Sequence, residues 1–397
     1  MNKTTLALLT SVVSLQAAHA ESSFSDALTG GKTHLNMNLR YESVEQDNPL
    51  DDASAMTLRT RLSYTTGVYE NFSGMVEFED SRIVGGFDEY SVPPASFNTG
   101  VYSIIPDPET TELDQAFVKY QSGAFTAKVG RQVITYDNQR FVGHVGWRQD
   151  RQTFDAYRFD YAASDDLTVS YSYITQRNRI FAEAADLDSK DSLLNVAYKT
   201  PVGKLVGYAY LLEVDNGTDN ALDTYGLSLT GASKGETPFK YRAEFATQTS
   251  ESGGNEFDAS YMVLEGGTAL SGVDVKLGYE VLGSDDAAYG FSTPLATLHP
   301  FNGLADIFLS TPAEGLVDIY LSGSTKLAGG KFVLTYHDFS ADDDSTGNDD
   351  FGDEIDLVYA KKFGKHYVAG IKYASYSAAD GPYVDTDKLW VWTGLSF

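Results

Sequence analysis

The chain has 397 residues, 56 acidic against 29 basic side chains, a formal net charge of −27 and no cysteine. Without cysteine there are no disulfides, thiolate metal sites, iron–sulfur clusters or thiol nucleophiles. The acidity argues against nucleic acid as a partner, because phosphate binding needs clustered Lys and Arg, and 42% hydrophobic with 13% aromatic content is too rich for disorder. No apolar run reaches the roughly 20 residues of a membrane-spanning helix. A large soluble β protein or a membrane β-barrel remains.

At the start, Lys3 precedes an apolar stretch from Leu6 to Val13, and Ala18-His19-Ala20 forms a small-residue cleavage site before Glu21. This is the pattern of a secretory signal peptide over residues 1–20. Residues 21–397 then form the mature domain, with no Pro- or Ser-rich linker to divide it.

From there the dominant pattern is apolar–polar alternation. Leu35, Met37, Leu39 and Tyr41 interleave with Asn36, Asn38, Arg40 and Glu42. Val273, Val275, Leu277, Tyr279 and Val281 interleave with Asp274, Lys276, Gly278 and Glu280. Period two means a strand with one greasy and one polar face. Eighteen such segments are expected, beginning near residues 34, 56, 72, 113, 125, 154, 167, 192, 204, 222, 239, 256, 273, 316, 331, 353, 366 and 387.

Connections after the first strand alternate long and short. Ser122-Gly123-Ala124 and Phe363-Gly364-Lys365 are short, whereas 83–112, 137–152, 283–315 and 341–352 are long. Most of the negative charge falls in the long set, which puts an acidic rim at one end. Solvation explains those charges; divalent cations bridging to anionic lipid headgroups are a compatible second role. Short turns at one rim and long loops at the other describe an outer-membrane barrel with periplasmic termini. In hydrocarbon only helices or closed barrels satisfy every backbone polar group. The expected fold is therefore all-β: a transmembrane, antiparallel, up-and-down β-barrel of about 18 strands. A wall of that size leaves a lumen wider than its own side chains fill, hence a channel. The last strand carries Leu389, Val391, Thr393, Leu395 and terminal Phe397 on one face, with Trp390 and Trp392 opposite. Such an ending resembles the assembly signal of outer-membrane barrels. Expected partners are outer-membrane lipid and lipopolysaccharide, the barrel-assembly machinery through Phe397, and small solutes or ions.

Placing the apolar face in lipid aims Arg40, Arg59, Arg61, Lys119, Lys128, Arg158 and Arg242 into the lumen, with Glu42, Glu77, Glu79, Asp160, Glu244, Asp274 and Glu280. Facing rows of opposite charge bias a pore toward one ion sign. Simple alternation aims Arg131 at lipid, at a cost of roughly 2–4 kcal/mol near the midplane. A bulge near Gly130 that turns Arg131 inward is therefore expected. The segment 137–152 carries Arg140, His144, Trp147, Arg148 and Arg151 and is the one non-acidic long loop, as expected of a loop folded into the lumen.

Residues 128–156, KVGRQVITYDNQRFVGHVGWRQDRQTFDA, and 290–318, GFSTPLATLHPFNGLADIFLSTPAEGLVD, resemble two blocks of the alginate-export-like porin family. The resemblance implies a barrel that passes solutes without catalysis, and it gives Arg131, Arg140, Arg148 and Asp155 the motif's charged positions. The primary expectation is a passive diffusion channel, monomeric, with mild anion preference and no cofactor, in the outer membrane of a Gram-negative bacterium. The alternative is export or uptake of an acidic polysaccharide or sugar. An enzyme is not expected, because no G-x-S-x-G or H-E-x-x-H motif is present and no hydroxyl–base pairing suggests itself. Asp342-Asp343-Asp344 mimics a calcium loop, but its flanks are strands and its twelfth position is Asp353 rather than Glu.

Overall fold

The computed structural model describes residues 23–379 and 381–397, so the expected signal peptide lies outside the described residues. A short helix, α1 (Phe24–Thr29), precedes the wall. The first nine wall strands are β1 (Lys32–Gln46), β2 (Ala53–Thr65), β3 (Phe72–Glu89), β4 (Thr110–Ser122), β5 (Phe125–Gln132), β6 (Thr153–Ala162), β7 (Leu167–Asn178), β8 (Leu187–Thr200) and β9 (Gly203–Leu212). After β10 (Asn220–Ala232), β11 (Lys240–Ser252), β12 (Asn255–Leu270) and β13 (Val273–Leu282), a two-residue hairpin of β14 (Ser284–Asp285) and β15 (Tyr289–Gly290) interrupts the series. The wall resumes with β16 (Leu316–Leu327), β17 (Gly330–Ser340), β18 (Asp350–Phe363), β19 (Tyr367–Ser377) and β20 (Thr386–Ser396).

Every wall strand pairs antiparallel with its sequence neighbours, and β1 pairs with β20 from Asn36↔Ser396 to Gln46↔Thr386. The sheet is a closed barrel of 18 strands. Each expected segment coincides with one strand; the largest displacement is at β8, which starts at Leu187 instead of near 192. The first and last strands meet at the short-turn rim, where Leu35 and Phe397 exchange backbone hydrogen bonds of 3.1 and 2.9 Å.

The connection between β11 and β12 breaks the long–short rule. Only Gly253 and Gly254 lie between these strands, both at positive φ (59° and 83°). Glycine adopts that region without the Cβ clash that penalises other residues. Here β11 stays paired with β10 as far as Ser252, while β12 runs past the end of β13 from Asn255 to Ser260 and takes the place of a loop.

The two faces separate as the alternation requires. Leu62, Phe78, Val118, Leu227, Phe245, Leu264, Leu277 and Leu321 are exposed on the outside, while Arg40, Glu42, Arg61, Glu79, Glu280 and Asp318 are buried inside. Phe72, Phe125, Tyr161, Tyr198, Phe239, Phe363 and Tyr367 are exposed beside the short turns, forming an aromatic girdle at that rim. The inverted polarity makes the outer skin a lipid-contact surface. No helix among the described residues is long and apolar enough to cross a membrane.

Replacing mid-wall Leu321 by Arg is expected to cost about 2–4 kcal/mol in urea unfolding from lipid vesicles. Ser322→Arg, one residue on and facing the lumen, is expected to cost markedly less in the same assay.

Candidate functional site within the lumen

β5 is short because the chain leaves the wall after Gln132 and enters the barrel. Arg140 donates from Nε to Glu280 Oε1 on β13 (2.7 Å), and also to Thr293 (3.1 Å) and Asn302 (3.0 Å). Arg148 binds both oxygens of Glu42 on β1 (2.7 and 3.1 Å) and one of Asp107 (3.3 Å). Arg151 grips Asp114 on β4 (3.1 and 2.6 Å) and contacts Glu77 on β3. The Gln149 amide donates to Thr57 Oγ1 on β2 (2.8 Å), and Asp137 accepts from Asn195 on β8 (2.9 Å) and Lys204 on β9 (2.8 Å). A segment fastened to strands on so many sides crosses the lumen. The expected infolding of 137–152 is what the geometry displays.

A second inward segment, residues 291–315, had no periodic signal in the sequence. The two inward segments pair backbone to backbone, with Gly143 N–H donating to Leu295 O at 2.8 Å. A Cβ at Gly143 would lie 2.2 Å from Thr297 Oγ1, so only glycine permits this approach. Phe291, Leu295, Ala305 and Phe308 are buried, while Asn302 donates to Glu280 (2.9 Å) and Asp318 (3.2 Å). Ala305 N–H donates to Glu354 at 2.8 Å.

Trp147 stands where the segments meet. Its ring stacks on His299 (centroids 3.5 Å apart, planes at 17°) and meets the edge of Trp390 at 6.0 Å. Lys372 Nζ and the Arg148 guanidinium lie 4.4 and 4.1 Å from its ring centroid. Trp147 lines two cavities. The one of about 570 Å³ also touches Arg148, His299, Asp306 and Lys388. The other, about 340 Å³, also touches Arg40, Arg59, Lys372 and Trp392. A third, of about 450 Å³, is lined by Arg242, Lys276, Glu280 and His337. His299 Nδ1 and Asp306 Oδ1 are 2.8 Å apart. Burial, opposed by Asp306 and reinforced by Lys372, holds the His299 imidazole uncharged down to about pH 3. The His299 contact, Lys388 and Arg148 outweigh burial at Asp306 and hold it well below the usual carboxylate range. A neutral ring donating from Nδ1 to Asp306 and accepting at Nε2 from Lys372 satisfies all three groups.

Of the residues expected to line the pore, Arg40, Arg59, Arg61, Glu77, Glu79, Arg158 and Arg242 lie on the inner face. Arg158 is bidentate to Asp160 (3.0 Å), and Arg242 sits against Glu244 at 2.5 Å. Arg140, Arg148 and Arg151 are inside but neutralised by carboxylates, so they fasten the plug more than they bias an open path.

Arg131 and Asp155 depart from expectation. β5 pairs with β4 and β6 with no inserted residue, so Arg131 stays on the outward face with Val129. Gly130 does take φ 120°, but the register runs straight through it; the bulges nearest to it lie on β4 at Asp114 and on β7 at Thr175. Asp155 faces outward directly opposite and binds Arg131 through two bonds, 2.8 and 3.1 Å. A bidentate pair is neutral as a unit, which removes the reason to turn Arg131 inward.

The sequence places Trp390 opposite the greasy face of the last strand but does not single out Lys372, Lys388, His299, Asp306 or Asp107 as lumen residues. Lys372 and Lys388 sit at inward parity on β19 and β20, so the rule that found Arg40 also reaches them. His299, Asp306 and Asp107 lie in aperiodic loops, where no such rule operates.

Arg148→Ala leaves Arg40 alone to serve both Glu42 (3.6 Å) and Asp107. It is expected to destabilise the fold in chemical unfolding by less than the about 3–5 kcal/mol of a fully stranded buried charge. The unfolded chain protonates His299 near pH 6.5, whereas the folded one keeps it neutral to about 3. This group's stabilising contribution is therefore complete above about pH 6.5 and declines as pH falls from there toward 3. The melting temperature should drop over that window by more in the parent than in His299→Gln.

The sequence profile of the alginate export family matches residues 33–283. No curated protein matches the chain. Among solved structures, Acinetobacter baumannii OccAB4 superposes with a TM-score of 0.71 at 13% identity, covering 92% of this chain and 98% of that one. Pseudomonas aeruginosa OccK9 (OpdG) gives 0.70 at 14%, covering 94% and 100%. The outer membrane protein opdK of the same organism gives 0.70 at 11%, covering 93% and 100%. At these identities the likeness is one of fold, and it extends over the whole wall. With an 18-stranded barrel built on a matching profile, the chain belongs to the alginate export family.

Proposed function

We propose that the protein is an outer-membrane porin, a passive channel for ions and small hydrophilic solutes, with its termini on the periplasmic side and a preference for anions. One observation carries the preference. Arg59, Lys372 and Lys388 border the cavities that meet at Trp147, yet none has a carboxylate within ion-pair distance among the described residues. Arg59 reaches only neutral oxygens, those of Asn36 (2.7 Å) and of the Arg148 and Gly146 carbonyls (3.1 and 3.4 Å). Positive charge that no carboxylate pairs directly, in a narrow, low-dielectric passage, attracts anions and repels cations. The carriers are thus mainly wall lysines and Arg59, and not the carboxylate-paired Arg140, Arg148 and Arg151 of the inward segment.

Polymer export is less well supported. Two inward segments cross the lumen, and the acidic long loops would repel a polyanion at the opposite rim. Outer-membrane residence, lipopolysaccharide contact and recognition of Phe397 by the assembly machinery belong to the same reading, supported by the greasy outer skin and the C-terminal strand.

In planar bilayers the protein should give stepwise currents, and in a salt gradient a reversal potential of anion-selective sign. Lys372→Gln combined with Lys388→Gln should move that potential toward the cation value. Insertion without current at any voltage, or an unmoved potential, would overturn the reading.

A further inference from the structure

Where the C-terminal limb of the first inward segment reaches the wall, Glu79 of β3, Glu112 of β4 and Asp150 bring one carboxylate oxygen each within 4.8 Å of one another. Glu79 and Asp150 are fully buried. One oxygen of each is occupied: Arg61 Nε contacts Glu79 Oε2, and the Ala182 N–H donates to Asp150 Oδ2 at 3.0 Å. Glu79 Oε1 and Asp150 Oδ1 have no hydrogen-bond partner. A buried carboxylate oxygen without a partner is costly, and two of them beside a third carboxylate point to something positive between them.

The neighbouring charges do not supply it. Arg61 and Arg151 together serve Glu79, Asp114 and Glu77. Glu112 and Asp150 have no cationic partner within ion-pair distance among the described residues. The surroundings are therefore short of positive charge by more than a single ion pair.

We propose that Glu79, Glu112 and Asp150 form a site for a hard divalent cation of the calcium type, which ties the inward segment to the wall. An all-oxygen donor set suits calcium or magnesium and disfavours zinc or copper. Calcium tolerates irregular coordination, whereas magnesium demands near-octahedral geometry and retains several waters, for which buried carboxylates leave little room. Asp150 follows Arg148 by two residues and directly precedes Arg151, so a cation here holds the same limb that carries Trp147. The site is independent of whether the channel conducts, because its readout is binding.

The test uses full-length protein in detergent, stripped with chelator and titrated with Ca²⁺ by calorimetry and thermal unfolding. One calcium per chain and a rise in melting temperature are expected. Asp150→Asn should weaken the affinity at least about tenfold, since ligand charge tunes calcium sites over decades, and should remove the thermal shift. Glu112→Gln, at a less buried position, provides a second variant if Asp150→Asn does not fold. A control carrying Asp342→Asn, Asp343→Asn and Asp344→Asn in the exposed acidic loop should bind like the parent. No uptake at millimolar calcium would overturn the proposal and leave protons shared among the carboxylates. Undiminished binding in both site variants, or loss in the acidic-loop control alone, would overturn it equally.

Discussion

Closure of the hydrogen-bond ladder is the constraint from which the rest of this structure follows. A sheet edge in hydrocarbon leaves a row of unpaired N–H and C=O groups, each costing several kcal/mol. The β1–β20 pairing removes the last such edge, and Leu35 with Phe397 extends it to the chain terminus. Once the ring is closed, side-chain parity has only two destinations. Every odd or even choice along a strand becomes a choice between lipid and lumen, and that division sets where charge can be kept.

The lumen then poses a second problem. Eighteen strands enclose more volume than wall side chains fill, and inward carboxylates and guanidiniums at this density need partners. The two infolded segments solve both at once. They supply Arg140, Arg148 and Arg151 to wall acids, and backbone N–H groups at Leu304 and Ala305 to Asp356 and Glu354. Around Trp147 the groups they leave without a directly paired carboxylate are positive, Arg59, Lys372 and Lys388. On the proposed reading, selectivity is what remains there after the structural charges have been matched.

The strands were legible because period two survives in one sequence: the greasy face must face lipid wherever the wall crosses the membrane. Eighteen segments and the inner placement of Arg40, Arg59, Arg61, Glu77 and Glu79 follow from that rule alone. Arg131 departs from the rule because it does not meet lipid as a lone charge. The parity that sends Tyr157, Phe159 and Tyr161 outward sends Asp155 outward too, directly opposite Arg131, so the pair was implicit in the pattern. The stack of Trp147 on His299 was beyond reach, since both residues lie in irregular loops. Their meeting depends on tertiary docking between segments about 150 positions apart, the separation at which Val145 N–H reaches Thr297 Oγ1.

The wall's ladders join sequence neighbours, apart from the seam, whereas the plug's anchors reach across the sequence, by 37 positions at Arg151–Asp114, 106 at Arg148–Glu42 and 140 at Arg140–Glu280. Loop-closure entropy makes such distant contacts the slower ones to form. Biogenesis should accordingly pass through a hollow, leaky cylinder that acquires its filter only after insertion. That filter is fastened by charge pairs and also by a greasy cluster in which Phe141 packs on Tyr208 and Tyr261 and Phe308 on Phe339 of the wall, so exchanging it for another means recutting the inner face of the staves as well.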